Sequence, residues 1–301
     1  KARFDEARNI EEANELEQAG GQVIYGVKGF KTHAKVCLVV RREPQGIARY
    51  AHFGTGNYNT STAKLYGDIG YLTGNADLCA DAAAFFNIIG AHTQPQPLCK
   101  LAMAPLYIRD RLIELIDLEL KLKKKGARGL IIVKINSLAD KDLIDKLCQA
   151  SRAGVEIHLN VRGICCLTPG IKGLSENITV TSIIDRYLEH ARIFYFHQGG
   201  AERIFFSSAD WMPRNLDRRF ELMIPVLNTA CRIQLIEILN SYVSDSAKSW
   251  KLQSNGRYVP IKNKGKKMFR AQEHFYRKAC ETALKIIEQR RTRFEPHRPD
   301  K

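Results

Sequence analysis

Leu130-Ile131-Ile132-Val133-Lys134-Ile135 and, after Gly154, Val155-Glu156-Ile157-His158-Leu159-Asn160-Val161 are two short apolar runs separated by a helical stretch from about Asp140 to Arg152. Both runs are rich in β-branched residues, which suits buried strands. A strand, a helix and a second strand in so short a span predict an α/β architecture with a largely parallel sheet. Upstream of this unit a helix is expected from Leu106 to Lys125, stopped by Gly126. Ala91-His92-Thr93-Gln94-Pro95-Gln96-Pro97 has two prolines and little apolar content, and so reads as a domain boundary. It divides the chain into residues 1–97 and 98–301. In the first part, residues 5–19 carry Ile10, Ala13 and Leu16 at helical spacing, ending at Gly20-Gly21. Strands are expected at Val23-Ile24-Tyr25, His33 to Val40 and Ala48 to Phe53, and Asn75 can cap a helix reaching Ile89.

The 301 residues are enough for two domains, and 45% apolar with 26% charged residues exclude a disordered or collagen-like chain. No apolar stretch approaches the roughly 18–20 residues that span a bilayer. The start at Lys1 has no initiator Met and no apolar signal region, so a piece of a longer chain without a signal peptide is expected. The net charge is +15, and residues 251–301 hold fifteen Lys/Arg against five Asp/Glu. Such asymmetry points to a polyanionic partner, whether nucleic acid, anionic lipid or a phosphate polymer, or else to a solvated basic face. Eight scattered cysteines, with no C-x-x-C pair, argue against zinc and disulfides and fit a reducing cytoplasm.

An approximate internal duplication is the most informative feature. His33-Ala34-Lys35 opens a strand, and after a turn a second strand ends in Gly54-Thr55-Gly56-Asn57. His190-Ala191-Arg192 also opens a strand, and after Gly199-Gly200 the next one ends in Ser207-Ser208-Ala209-Asp210. Residues i and i+2 of a strand share a face, so each unit pairs an imidazole with a cation. Two such pairs suit a phosphate-handling site. No Gly-rich phosphate loop is present, so phosphate has to be held by Arg, Lys and His side chains. Imidazole is a competent nucleophile at neutral pH, and the P–N bond it forms keeps its transfer potential. Arg162, at the carboxyl end of a strand, lies where α/β sheets gather ligands. Arg214, Arg218 and Arg219 follow in a basic segment and either bind phosphate or pair with Asp210 and Asp217.

Gly29-Phe30-Lys31-Thr32-His33-Ala34-Lys35, Phe53-Gly54-Thr55-Gly56-Asn57-Tyr58, Val161-Arg162-Gly163-Ile164-Cys165-Cys166, Leu174-Ser175-Glu176-Asn177 and the stretch from Ser208 to Arg219 closely resemble bacterial polyphosphate kinase. The resemblance covers essentially the whole chain, which is similar to the C-terminal catalytic region of that family. It implies two phospholipase D-like domains, α/β with mixed, largely parallel sheets flanked by helices, the first one incomplete. It also implies reversible transfer of the ATP γ-phosphate to the end of inorganic polyphosphate through a phosphohistidine. Carried over by position, His33 is the phosphorylated histidine and His190 the second essential one. Tyr66, Arg162 and His190 match nucleotide contacts. Lys35, Arg192, Arg214 and Arg218 are expected at phosphate. Arg3 matches an arginine linked to the Mg²⁺ site, where a guanidinium has no lone pair for a metal and is expected to touch metal-bound phosphate. The partners are then ATP, ADP and polyphosphate, with no nucleic acid. The expected setting is a cytoplasmic homo-oligomer, with peripheral association at the inner face of a membrane.

The phospholipase D pattern H-x-K-x₄-D is only partly met. Val40 and His197 stand at its acidic positions and Arg192 at its second lysine. That weakens the alternative of a phosphodiesterase acting on lipid or nucleic acid. A non-enzymatic, basic nucleic-acid-binding module would explain the charge but not the paired histidines.

Overall fold

The computed structural model describes residues 6–90, 96–261 and 268–291. In the first half these form α1 (Glu6–Gln18), β1 (Lys31–Thr32), β2 (Lys35–Glu43), β3 (Gly46–Gly54), α2 (Thr60–Ala63), β4 (Tyr66–Gly67), β5 (Gly70–Thr73) and α3 (Ala76–Ile89). The second half begins with β6 (Ala102–Ala104), α4 (Ile108–Lys124), β7 (Leu130–Ile135), α5 (Lys141–Arg152), β8 (Glu156–Val161) and β9 (Ile178–Ile183). It continues with β10 (Leu188–Glu189), β11 (Arg192–Phe196), β12 (Arg203–Ser207), α6 (Pro213–Arg218) and β13 (Arg219–Pro225). Last come α7 (Thr229–Ser244), β14 (Ser249–Leu252), β15 (Tyr258–Pro260) and α8 (Ala271–Arg291). The expected cap of α3 is in place, and α5 has one of the same kind. The Asn75 side chain accepts from Leu78 N at the start of α3, and Asp140 does the same for Leu143 N at α5.

The class is α/β with mixed sheets, as expected, but parallel pairing is narrower than the sequence reading held. The main sheet runs β1-β13-β12-β11-β7-β8-β9-β14-β15, with β6 also on β13. Only β7–β8–β9 and the β1–β13 edge are parallel there. The crossover helix α5 makes β7 and β8 parallel, whereas β11–β12 and β14–β15 are joined by short connections that permit only antiparallel pairing. The first half holds an antiparallel three-stranded sheet, β2-β3-β5. The strand expected at Val23–Tyr25 carries no regular structure, and Tyr25 is exposed.

Strand β7 is buried along its length, and its alternation serves two cores. Ile131, Val133 and Ile135 pack with Leu112, Ile116, Leu143 and Leu147 of α4 and α5. Ile132 faces the other way, into a core that joins the halves: Phe53, Leu78 and Phe85 of the first with Ile193, Phe206 and Leu222 of the second. Of the expected domain boundary, Ala91–Pro95 lie outside the described residues. The halves are further tied by two parallel pairings, β1 with β13 and β4 with β10, and each of these ends at a histidine.

Candidate active site

The two pairings are copies of one another. Lys31 and Thr32 lie opposite Arg219 and Phe220, as Leu188 and Glu189 lie opposite Tyr66 and Gly67. Past β1, the amides of His33 and Ala34 both donate to Phe220 O; past β10, those of His190 and Ala191 both donate to Gly67 O. Each histidine thus leaves a strand of its own half at a point fixed by the backbone of the other. The residue after each acceptor carbonyl is acidic, and it meets the histidine. Asp68 Oδ1 lies 2.7 Å from His190 Nδ1, and Glu221 Oε2 lies 2.9 Å from His33 Nδ1.

A carboxylate can only accept, so in both rings Nδ1 carries the proton and Nε2 the lone pair of the neutral form. The carboxylates are themselves held. Thr55 Oγ1 donates to Asp68 at 2.7 Å; Ser208 Oγ donates to Glu221 Oε2 at 2.5 Å, and Asn215 Nδ2 to its Oε1 at 2.7 Å. Burial, above all, lowers the pKa of both imidazoles, and the carboxylate partner works against that in each case. Both shifts favour the neutral ring.

The two cations differ more than the repeat suggests. Lys35 is buried and donates to His33 O at 2.6 Å. Burial pushes its pKa down to about 8 against the pull of Glu221. Arg192, also buried, is gripped by Asp210, with Nε 3.2 Å from Oδ1 and Nη2 3.1 Å from Oδ2. Its Nη1 donates to His190 O at 3.1 Å and lies 3.3 Å from His190 Nε2. Arg162, half-buried at the end of β8, donates from Nε to Asn136 Oδ1 at 2.8 Å. The Tyr66 ring lies 5.1 Å from that of His190, centroid to centroid. The Arg192 charge reaches both histidines, Lys35 and Arg162, which places the two units around one site.

The structure therefore brings together His33, Lys35, Tyr66, Arg162, His190 and Arg192. Arg214 and Arg218 are both exposed on α6, the helix whose Asn215 binds Glu221, and neither has an ion pair among the described residues. The carboxylates considered as their partners are engaged elsewhere, Asp210 by Arg192 and Asp217 by Arg109. Arg3 lies outside the described residues. The donors among the described residues do not fit a resident metal. Among the described residues no group of three His, Cys, Asp or Glu side chains is placed to hold one, and Asp68, Asp210 and Glu221 are already committed to His190, Arg192 and His33. Sequence reasoning missed Asp68, Glu221 and Asn136, and it set Asp210 against Arg214, Arg218 and Arg219 rather than Arg192. For the first two a signal existed, because Thr55 and Asp68 are 13 residues apart, and so are Ser208 and Glu221. The missing acids at Val40 and His197 thus cost the site nothing: Val40 is exposed on β2, and His197 contacts the Tyr195 hydroxyl beyond the far end of β11.

The chain matches two families, described as polyphosphate kinase C-terminal domain 1 over residues 1–95 and C-terminal domain 2 over residues 101–272. It is 54% identical over 301 residues to a polyphosphate kinase of Rhodopirellula baltica, covering all of this chain and 35% of that one. Over 278 residues it is 48% identical to polyphosphate kinase 1 of Chlorobaculum tepidum, covering 92% of this chain and 40% of that one. Among solved structures, polyphosphate kinase from Porphyromonas gingivalis superposes with a TM-score of 0.87 at 38% identity, over 94% of this chain and 43% of that one. The chain spans 35–40% of the length of these two curated relatives.

Proposed function

This chain belongs to the polyphosphate kinase family, and from that premise we propose that it carries the site for reversible transfer of the ATP γ-phosphate to the end of inorganic polyphosphate, with His33 as nucleophile. The observation that carries this reading is an asymmetry between two otherwise equivalent imidazoles. His190 Nε2 already faces the Arg192 guanidinium, whereas His33 Nε2 has no hydrogen-bond partner among the described residues. His33 is thus the ring with an available lone pair, held neutral by burial and oriented by Glu221.

Nε2 of His33 forms a P–N bond to the γ-phosphorus as the bond to the β,γ-bridging oxygen breaks, and ADP departs with that electron pair. The terminal oxygen of polyphosphate then attacks the phosphorus. The P–N bond breaks and Nε2 regains its lone pair. Lys35 and Arg162 offset charge on the transferring group, where preorganised cations in a site with little water are most effective. Tyr66 and Arg162, beside His190, hold the nucleotide. An arriving polyanion raises the pKa of His190, and Asp68 stabilises the resulting imidazolium, so that Nε2–H donates to the phosphate. Mg²⁺ enters with the nucleotide as the Mg–ATP substrate and neutralises phosphate charge there. Exposed Arg214 and Arg218 guide the polymer. The basic excess and eight free thiols accord with a cytoplasmic protein acting on a polyanion, and we keep a homo-oligomer at the inner membrane face as part of the same reading. Among the described residues no helix is long and apolar enough to cross a membrane.

The test is labelling with γ-labelled ATP and Mg²⁺ in a protein of full family length containing this chain. An acid-labile, base-stable phosphate is expected on the peptide with His33. His33→Ala should abolish it, and His190→Ala should slow turnover severely while any label stays at His33. Phosphate recovered on His190 in the His33→Ala protein would sink the assignment.

A further inference from the structure

The duplication breaks down immediately before the second histidine. At the position of exposed Thr32 in the first unit, the second has Glu189, which is 3% exposed. Its partner, Lys134 on β7, is 1% exposed, with Nζ 3.1 Å from Glu189 Oε2. The same Nζ donates to Ala191 O at 3.1 Å and sits 4.9 Å from the centre of the Tyr242 ring. One ammonium therefore grips the residues on both sides of His190. The other oxygen of Glu189 is taken by α8: Gln272 Nε2 donates to Glu189 Oε1 at 2.7 Å and to Tyr187 O at 2.9 Å, while Gln272 Oε1 accepts from Tyr187 N at 3.0 Å. Among the described residues no buried ion pair flanks His33 in this way; it is held by Glu221 at Nδ1, by Lys35 at its carbonyl and by Phe220 O at its amide.

Burying both charges of an ion pair costs desolvation that a well-packed apolar pair avoids, so stability alone is a poor account of Lys134 and Glu189. Their directional contacts converge on a single segment, 187–191, and that segment carries His190. We propose that Lys134 and Glu189, with Gln272 of α8, are positioning residues that fix His190 against the transferring phosphate. This rests on the role given to His190 above. A histidine that must meet a phosphoryl oxygen at hydrogen-bond distance gains from such a fixed backbone, since a displacement of about 1 Å can cost on the order of a hundredfold in rate.

The test is a double-mutant cycle in a protein of full family length. The joint variant Lys134→Met/Glu189→Leu replaces the pair by apolar side chains and leaves no buried charge unpaired. Gln272→Ala keeps the pair and removes only the α8 contacts, so it decides the matter if the joint variant does not fold. Each is made in the parent and in a His190→Ala background, and single-turnover phosphate transfer is timed. In the parent we expect a fall of about ten- to a hundredfold for the joint variant and several-fold for Gln272→Ala, with KM for ATP little changed. In the His190→Ala background both effects should shrink to less than about twofold, because the group being positioned is gone. A general loosening of the fold would give the same factor in both backgrounds, and that result overturns the proposal, as does an unchanged rate in the parent. If His190→Ala itself retains parental turnover, the assignment of His190 fails and the positioning claim fails with it. If the His33 label is also absent, the fault lies in the phosphohistidine reading as a whole.

Discussion

Replacing Glu221 by Gln removes one charge and almost no volume from a site where that charge has three tasks. The carboxylate is fully buried and accepts from His33 Nδ1, Ser208 Oγ and Asn215 Nδ2. A Gln carbonyl can still accept from His33, but its amide then faces the Asn215 amide, donor against donor. Hydrogen bonds to charged groups contribute about 1.5–3 kcal/mol. With His33 less well oriented and its developing positive charge no longer balanced, formation of the phosphohistidine should slow by about 10- to 150-fold. A second effect follows from Lys35, whose pKa is held up chiefly by Glu221. Losing that carboxylate lowers it from about 8, so the ammonium is lost at a lower pH and the alkaline limb of activity moves towards neutrality. Rapid-quench measurement of label appearance between about pH 6 and 9, in a protein of full family length, reads both effects. A rate within about threefold of the parent, with the alkaline limb unmoved, would refute the role given to Glu221.

Two further substitutions probe neighbouring groups. Lys35→Met should abolish transfer while raising the melting temperature at pH 7. Below about 8 the fold carries a buried ammonium, at the cost of solvation that the unfolded chain keeps. Between about 8 and 10.5 the unfolded chain binds the extra proton, so the parent gains stability as pH rises, and the gap between the two melting curves should close. A gap that widens with pH would contradict the buried cation. Arg162→Lys keeps the charge but loses the planar fork that binds Asn136 and, in the proposed reaction, phosphate as well, and kcat/KM for ATP should fall by an amount equivalent to about 1–3 kcal/mol. A change below about threefold would remove Arg162 from the site.

The repeat of His33-Ala34-Lys35 in His190-Ala191-Arg192 was legible because period-two alternation and a small polar loop survive in both units. It located both histidines, and the strand-end rule located Arg162. The acids were hidden for a physical reason. His33 and Glu221 are 188 residues apart and His190 and Asp68 are 122 apart, and each contact depends on a two-residue parallel pairing between halves that no local pattern announces. The same limit explains the overestimate of parallel strands, since the sequence shows the crossover through α5 clearly but not which edges the hairpins will join. The grip of Asp210 on Arg192 was hidden for a similar reason, since the acid sits 18 residues away in what reads as a loop.

The exchange of acids between halves has a consequence for how such a site can diversify. Two identical chains related by a two-fold axis would present two identical histidines, each with the same acid and the same cation. Any substitution would strike both at once, and neither could specialise without dragging the other along. With both units on one polypeptide that bond is broken. One histidine here faces the longer Glu and a Lys bound to a backbone carbonyl, the other the shorter Asp and an Arg gripped by a second carboxylate. Fusion turns a symmetric pair into two addresses that can be edited separately, so the nucleophile and the donor of the proposed reaction can be tuned apart.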